Sequence, residues 1–402
     1  MEKFSAYRVQ STLELAFRFE PHELSISEPY RDVFQPFLTP VPPLGSDLLA
    51  KLTLPLGYAI GILRTTLVIL FIPVYIVLIQ GVCLIFAPIP RLHQAISHLL
   101  TAIITRAVLL LLGFFWIPVE HVKRKRGRGQ SETQSWRPRA GDIIVSNWVS
   151  WIELLWLAFR FNPIFVLPVS DTIPASVHSS QTSVPITHTP GRRTGTGSAN
   201  IQSPRKVASV PIPIVGFRRV SLLSMIGLTG QVPSFGFSES GSSPSTLEDL
   251  RKAADRPIVV FPECTTSNGR GLLRFAKVFH QEVPVKNYQI FIMCVRYDPP
   301  TSMAPTLTLS IPSTSLNPLP HLFTIAASIT PPTISIRLLA PSESPSSQLF
   351  IVSEIITDHA HNEDQLTEVC AALIAQIGKM KRTGMGWEDK ASFLEFYRGK
   401  RK

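Results

Sequence analysis

Cysteine is scarce in this chain, with four among 402 residues. Cys83, Cys264, Cys294 and Cys370 lie far apart, without the paired spacing of a zinc site or the density of a secreted disulfide scaffold. No metal site is expected, and a reduced cytosolic environment is the simplest reading. Acidic residues are also few: 28 Asp and Glu stand against 39 Lys and Arg, a formal net charge of +11. That excess favours anionic partners such as phospholipid head groups, phosphate-bearing small molecules or nucleic acid, and charge alone does not choose among them. The first fifty residues hold no short apolar core followed by a small-residue cleavage site, so a removable signal peptide is not expected. No internal repeat is present.

What the chain does have is one long run without charge. Residues 65–86 read TTLVILFIPVYIVLIQGVCLIF, 22 positions, enough to cross a hydrocarbon core that needs about 20 helical residues. A buried core helix is the bland alternative, which the length and the missing polar face argue against. Residues 99–117 are apolar too, broken by Arg106, and Ala87-Pro88-Ile89-Pro90 between the two runs stops a helix and turns the chain. The pair reads as a membrane span or a hairpin that enters and leaves one leaflet. Lys123, Arg124, Lys125, Arg126 and Arg128 follow at once, where the positive-inside bias puts them on the cytosolic side. A nuclear import or nucleic-acid patch rarely abuts a span, so no nucleic-acid partner is expected.

The remainder reads as one α/β domain, a mixed sheet flanked by helices, preceded by a segment 1–56 and an anchor 57–120. Strands are expected at 142–146, 257–261, 289–295 and 333–339, and helices at 150–161 and 272–280. Leu366, Val369, Leu373 and Ile377 recur at helical spacing between acidic and basic ends, which predicts a capped amphipathic helix facing the core. Residues 170–209, rich in Ser, Thr, Pro and Gly, lack the apolar content for a core and read as a disordered insertion within the domain 121–402.

Two segments carry chemistry. Phe261-Pro262-Glu263-Cys264-Thr265-Thr266-Ser267-Asn268-Gly269-Arg270-Gly271 follows an expected strand and precedes an expected helix, the context of a phosphate-binding turn. Thr265, Thr266, Ser267, Asn268 and the amides near Gly269 offer donors, and Arg270 adds a bidentate fork. The bland reading is a polar turn with a solvated arginine. Upstream, Asn147-Trp148-Val149-Ser150-Trp151-Ile152-Glu153 has the frame N-H-x-S-x-x-D, with Trp and Glu at the histidine and aspartate places.

Together these boxes resemble the glycerolipid acyltransferases, whose hallmark is H-x-x-x-x-D followed by F-P-E-G-T. The form F-P-E-C-T-T-S-N-G-R, the opening Met1-Glu2-Lys3-Phe4-Ser5-Ala6-Tyr7-Arg8 and the tail Gly386-Trp387-Glu388-Asp389-Lys390 look like the fungal lysophosphatidic acid:oleoyl-CoA acyltransferase group. The resemblance covers about half of the chain. It implies acyl transfer from acyl-CoA, as co-substrate, to lysophosphatidic acid or a related lysophospholipid, with no cofactor. It also implies the endoplasmic reticulum membrane and lipid droplet as location, with the domain facing the cytosol, and membrane lipids as partners.

In that family a histidine deprotonates the acceptor hydroxyl and the aspartate orients it. Trp148 cannot replace it, because the indole nitrogen only donates. Glu153, among Trp148, Trp151 and Trp156, is the most economical substitute base, or an orienting acid; the plainer role is capping a helix start. His280 is a second candidate base, weighed against an ordinary helix-end histidine. The resemblance assigns the acceptor phosphate to Glu263, Thr265 and Arg270, with Cys264, Thr266 and Asn268 in the same turn. Cys264, at the family's glycine, raises the question of an acyl-enzyme, against a small buried hydrophobe. Arg218 and Arg219 are a weaker phosphate candidate, set against a solvated loop. The rival class is a non-catalytic lipid-binding or membrane-trafficking protein that kept the fold after losing the histidine.

Overall fold

The structure is a computed structural model that describes residues 35–42, 48–86, 88–124, 136–170, 211–233, 245–348, 350–355 and 364–399. The expected insertion, apart from Ser170, lies outside these residues, as do the segment 1–34 and Lys125, Arg126 and Arg128.

Seven strands form one mixed sheet in the order β1-β8-β7-β2-β5-β3-β4. They are β1 (Val119–Val122), β2 (Ile143–Ser146), β3 (Ile164–Ser170), β4 (Ile214–Val220), β5 (Ile258–Val260), β7 (Ile290–Tyr297) and β8 (Ile334–Leu339). A separate two-residue pair joins β6 (Gly271–Leu272) to β9 (Lys381–Arg382). At the centre β2 runs parallel to both β5 and β7, and every β2 residue is buried. Strands covered on both faces read as continuous apolar runs, as IIVS and IVV do here.

Side chains alternate between the two faces with period two. Ile144, Val259, Phe291 and Met293 enter one core, and Ile143, Val145, Val260, Ile290 and Ile292 the other. The first core is covered by helix α3 (Ile152–Phe161) through Leu154, Leu155 and Leu157, and by the end of α2 (Pro90–Leu111) through Val108 and Leu109. The second is covered by α7 (Gln365–Gly378), whose Leu366, Val369, Leu373 and Ile377 all face inward, as their spacing predicts. Asp364 caps that helix, accepting from Thr367 N at 3.1 Å. Shorter helices α4 (Leu222–Gly227), α5 (Leu247–Lys252) and α6 (Leu319–Ala326), and α8 (Trp387–Gly399), are further helices among the described residues.

The first apolar helix, α1 (Leu48–Ile76), starts well before the expected 65 and continues through a π-helical turn, Val77–Val82, to Cys83–Ile85. Its early part docks the helix on the domain. A Cβ at Gly57 would lie 2.8 Å from Ala327 O, and one at Gly61 2.9 Å from Ala327 Cβ, so only glycine admits this approach to the end of α6. Arg64 then donates to the carbonyls of Ala326 at 3.2 Å and Ser328 at 3.0 Å, groups that a helix end leaves without partners. Beyond it Leu70, Ile72, Val74 and Val77 are exposed.

Pro90 opens α2 at the first helical position. The helix differs from the expected 99–117: it ends at Leu111, because Gly113 takes φ +92° and the chain then runs extended. Ser97, Thr101, Thr105 and Val108 are buried, whereas Leu99, Ile103 and Leu110 are exposed. Among the described residues, two helices are therefore long and apolar enough to span a membrane, over Leu52–Ile79 and Pro90–Leu111. Strand β1 straddles the expected boundary at 120, since Val119 and Glu120 already pair with β8.

Candidate functional site

Both boxes sit where the central strands end, the first after β2 and the second after β5. Strand β2 delivers Asn147, whose side chain completes the ladder toward β7: Nδ2 donates to Val295 O at 2.9 Å and Oδ1 accepts from Val295 N at 2.8 Å. Trp148 follows, 1 % exposed and stacked on Phe261 with ring centroids 5.2 Å apart. Its Nε1 donates to Ser150 O at 3.2 Å. The place where the resemblance puts a catalytic base is thus filled by a packed aromatic ring.

Glu153 stands in the first turn of α3 and is fully buried. Oε1 accepts from Val149 N at 2.6 Å and Ser150 N at 2.7 Å, and Oε2 accepts from the Tyr297 hydroxyl. Both amides precede Trp151, the N-cap of α3, so the carboxyl group folds back and fixes the loop that leads into the helix. Burial pushes its carboxyl up to about 7, against the hydrogen bonds from Tyr297, Ser150 and Val149, which pull it down.

Glu263 ties the two boxes together. Its Oε1 accepts from Trp148 N at 2.9 Å and its Oε2 from Leu273 N at 3.0 Å. It too is fully buried, and burial raises it to about 8 despite those amides and the nearby Lys390. The next residue, Cys264, has φ +58°, a left-handed backbone that favours glycine and explains why glycine suits this place. Burial holds its thiol well above the usual range, so the thiolate needed for an acyl-enzyme is disfavoured.

The donors of the second box are turned on the protein itself. Thr265 Oγ1 donates to Gln231 O at 2.7 Å and Thr266 Oγ1 to Leu309 O at 2.5 Å. Asn268 Nδ2 donates to Gln35 O at 2.7 Å and Leu38 O at 3.2 Å. The amides of Ser267 and Asn268 reach Trp148 O and Pro36 O at 3.2 and 2.9 Å. Arg270 points out, exposed, while its N–H donates to Asn268 Oδ1 at 3.2 Å.

The expected helix over 272–280 is absent, a correction that removes the helix dipole from the anion-site argument. Leu272 belongs to β6, and the amides beyond it bond across the chain: Arg274 N to Met385 O at 2.7 Å, Ala276 N to Pro262 O at 2.9 Å, Phe279 N to Asp364 Oδ2 at 3.0 Å. Apolar side chains at 272, 273, 276, 278 and 279 are all buried from an extended path, so tertiary partners outweigh local helical preference. His280 is exposed, beside the residue that meets the start of α7. Arg218 and Arg219 lie exposed on the edge strand β4, on a strand and not on a loop.

Three participants were not singled out from sequence. Tyr297 meets Glu153 from the end of β7. Lys390, fully buried on α8, donates to Thr266 O at 2.7 Å and Oγ1 at 3.2 Å, and burial holds its ammonium well below the usual range. Its signal was the Gly386-Trp387-Glu388-Asp389-Lys390 tail. His321 accepts from Trp151 Nε1 at 2.9 Å through Nδ1 and contacts Thr306 O at 3.1 Å through Nε2, a pattern that fits neutral imidazole; burial lowers it to about 4. Among the described residues no cluster of three or more His, Cys, Asp or Glu side chains is placed to hold a metal.

Comparison with protein-family models, with curated proteins and with solved structures finds no significant match.

Proposed function

We propose that this chain is a membrane-attached, lipid-binding protein built on an acyltransferase-like frame whose boxes act as a structural clasp and not as a catalytic centre. The observation that carries this reading is the filling of the base position by buried Trp148, with the carboxylates of Glu153 and Glu263 occupied by backbone amides and Tyr297. A general base must come within about 3 Å of the proton that it takes, and neither carboxylate meets solvent. Two apolar helices with exposed Leu, Ile and Val support attachment to a bilayer. Lys123 and Arg124, with the basic residues that follow in sequence, favour a cytosolic domain, and the endoplasmic reticulum or a lipid droplet is the membrane that the sequence resemblance implies.

A second reading is acyl transfer from acyl-CoA to lysophosphatidic acid. It is favoured by the carboxyl of Glu153, which burial brings to about 7, the range that suits a general base at neutral pH. The test is transfer from labelled oleoyl-CoA to lysophosphatidic acid by the purified full chain in detergent. No product above a protein-free control is expected. Transfer that disappears in Glu153→Gln would establish the enzyme and overturn the clasp.

A further inference from the structure

A cavity of about 640 Å³ opens at the opposite end of the sheet, where β2 begins and α3 ends. Five basic side chains line it: Arg106, His121, Lys123, Arg137 and Arg160. Among the described residues no acidic side chain does so. Of three carboxylates on neighbouring elements, Glu343 accepts from the Arg124 backbone N–H at 2.5 Å, Glu354 pairs with the Arg124 guanidinium at 2.6 Å, and Glu120 pairs with Arg337 at 3.0 Å. The side chains of Arg137 and Arg160 form no ion pair among the described residues.

Trp116, Trp136, Trp156, Phe159 and Phe161 give it an aromatic side, and aliphatic residues such as Ile117 and Leu338 fill much of the remainder. Trp136 is 6 % exposed and packs against Phe161 and Phe291 with centroids 5.2 and 5.0 Å away. Its Nε1–H, buried, has no hydrogen-bond acceptor among the described residues.

The cavity also lies against the membrane-facing helices. Arg106 comes from α2, where it donates to Phe114 O at 3.0 Å and Phe115 O at 2.7 Å, shaping the turn after the helix. Phe115 and Trp116, 63 % and 81 % exposed, follow that turn, and aromatic side chains at the end of a span favour the lipid–water interface. Apolar walls, a basic ring and an interfacial rim describe one ligand better than a soluble anion, which has no use for the aromatic surface.

We infer that this cavity binds the phosphate head group of an anionic phospholipid drawn from the adjoining leaflet. Arg137 and Arg160 supply the charge and the guanidinium donors, while the rim aromatics take the first methylenes of the chains. The inference rests on the lipid-binding reading above, but uses a different site from the boxes.

Short-chain phosphatidic acid, titrated into the detergent-purified full chain and followed by tryptophan fluorescence, tests it. Saturable quenching or enhancement is expected, at least about 10-fold tighter than with the matching phosphatidylcholine and absent with inorganic phosphate at the same concentration. Arg137→Gln with Arg160→Gln should weaken binding about 10-fold or more while the melting temperature stays unchanged; Arg160→Gln alone, the milder change, should weaken it in the same direction. Equal affinity for the two lipids, equal affinity in both arginine variants, or saturation by inorganic phosphate would each overturn the inference. Wild type that fails to bind phosphatidic acid yet still requires detergent for extraction sinks this site alone. Oleoyl transfer sinks the clasp reading and leaves the titration to decide the cavity.

Discussion

The two ends of the sheet treat polar groups in opposite ways. At the ends of β2 and β5, Glu153, Glu263, Thr265, Thr266 and Asn268 are buried and each finds a partner in the protein, with the Ser150 hydroxyl the exception in the first box among the described residues. At the other end, roughly 15 Å away along the ten residues of α3, charged groups ring an open cavity and a buried indole N–H has no acceptor among the described residues. The end that carries recognisable motifs is closed; the end without motifs is open and charged. A motif records which residues share a neighbourhood, and whether that neighbourhood admits a ligand depends on where each donor is aimed.

The comparison breaks most readily at Glu263. Glu263→Ala strips two buried amides, Trp148 N and Leu273 N, of their acceptor, and each orphan costs about 1 to 3 kcal/mol. A loss near 3 kcal/mol is expected in denaturant titrations of the detergent-solubilised chain. A loss below about 1 kcal/mol would mean that the two boxes are not clasped.

Trp148→His comes next. It empties a stacked, fully packed site beside Phe261, and truncations of this kind cost about 2 to 4 kcal/mol. A variant as stable as the parent, and active in oleoyl transfer, would show a catalytic frame waiting for its base.

The pH dependence is a gentler probe of the same end. Burial raises Glu153 and Glu263 from 4.5 to about 7 and about 8. The folded state therefore keeps protons that the unfolded chain releases, and stability falls as pH rises between those values. Stability is full below about 4.5 and reaches its lower plateau above about 8. Glu263→Gln, neutral throughout, should flatten the upper part of that slope in a melting series; an unchanged slope would contradict the assigned cause.

The smallest effect belongs to the open end. Trp136→Phe removes a donor without an acceptor among the described residues and keeps a ring against Phe161 and Phe291, so the loss should stay within the packing cost, about 1 to 2 kcal/mol in thermal melts. A loss of about 3 kcal/mol or more would exceed packing alone, point to a partner for the indole N–H and erase the contrast between the two ends.

The sequence by itself determined the strands IIVS and IVV, because a run covered on both faces must be apolar throughout. It determined α7, through Leu366, Val369, Leu373 and Ile377 at helical spacing, and two apolar helices separated by a proline turn. Their ends were less legible: α1 begins at Leu48 because Gly57, Gly61 and Arg64 dock on α6, a contact with a segment some 260 residues later. Only the tertiary structure decided that residues 272–280 stay extended, since Met385, Pro262 and Asp364 supply the partners that helix amides would otherwise find locally. It alone aimed the donors of the second box at Gln231, Leu309 and Gln35, distant carbonyls that no local pattern encodes. And it alone gathered Arg106, Arg137 and Arg160 around one cavity, because side chains from separate elements share a charge field only after the sheet has placed them.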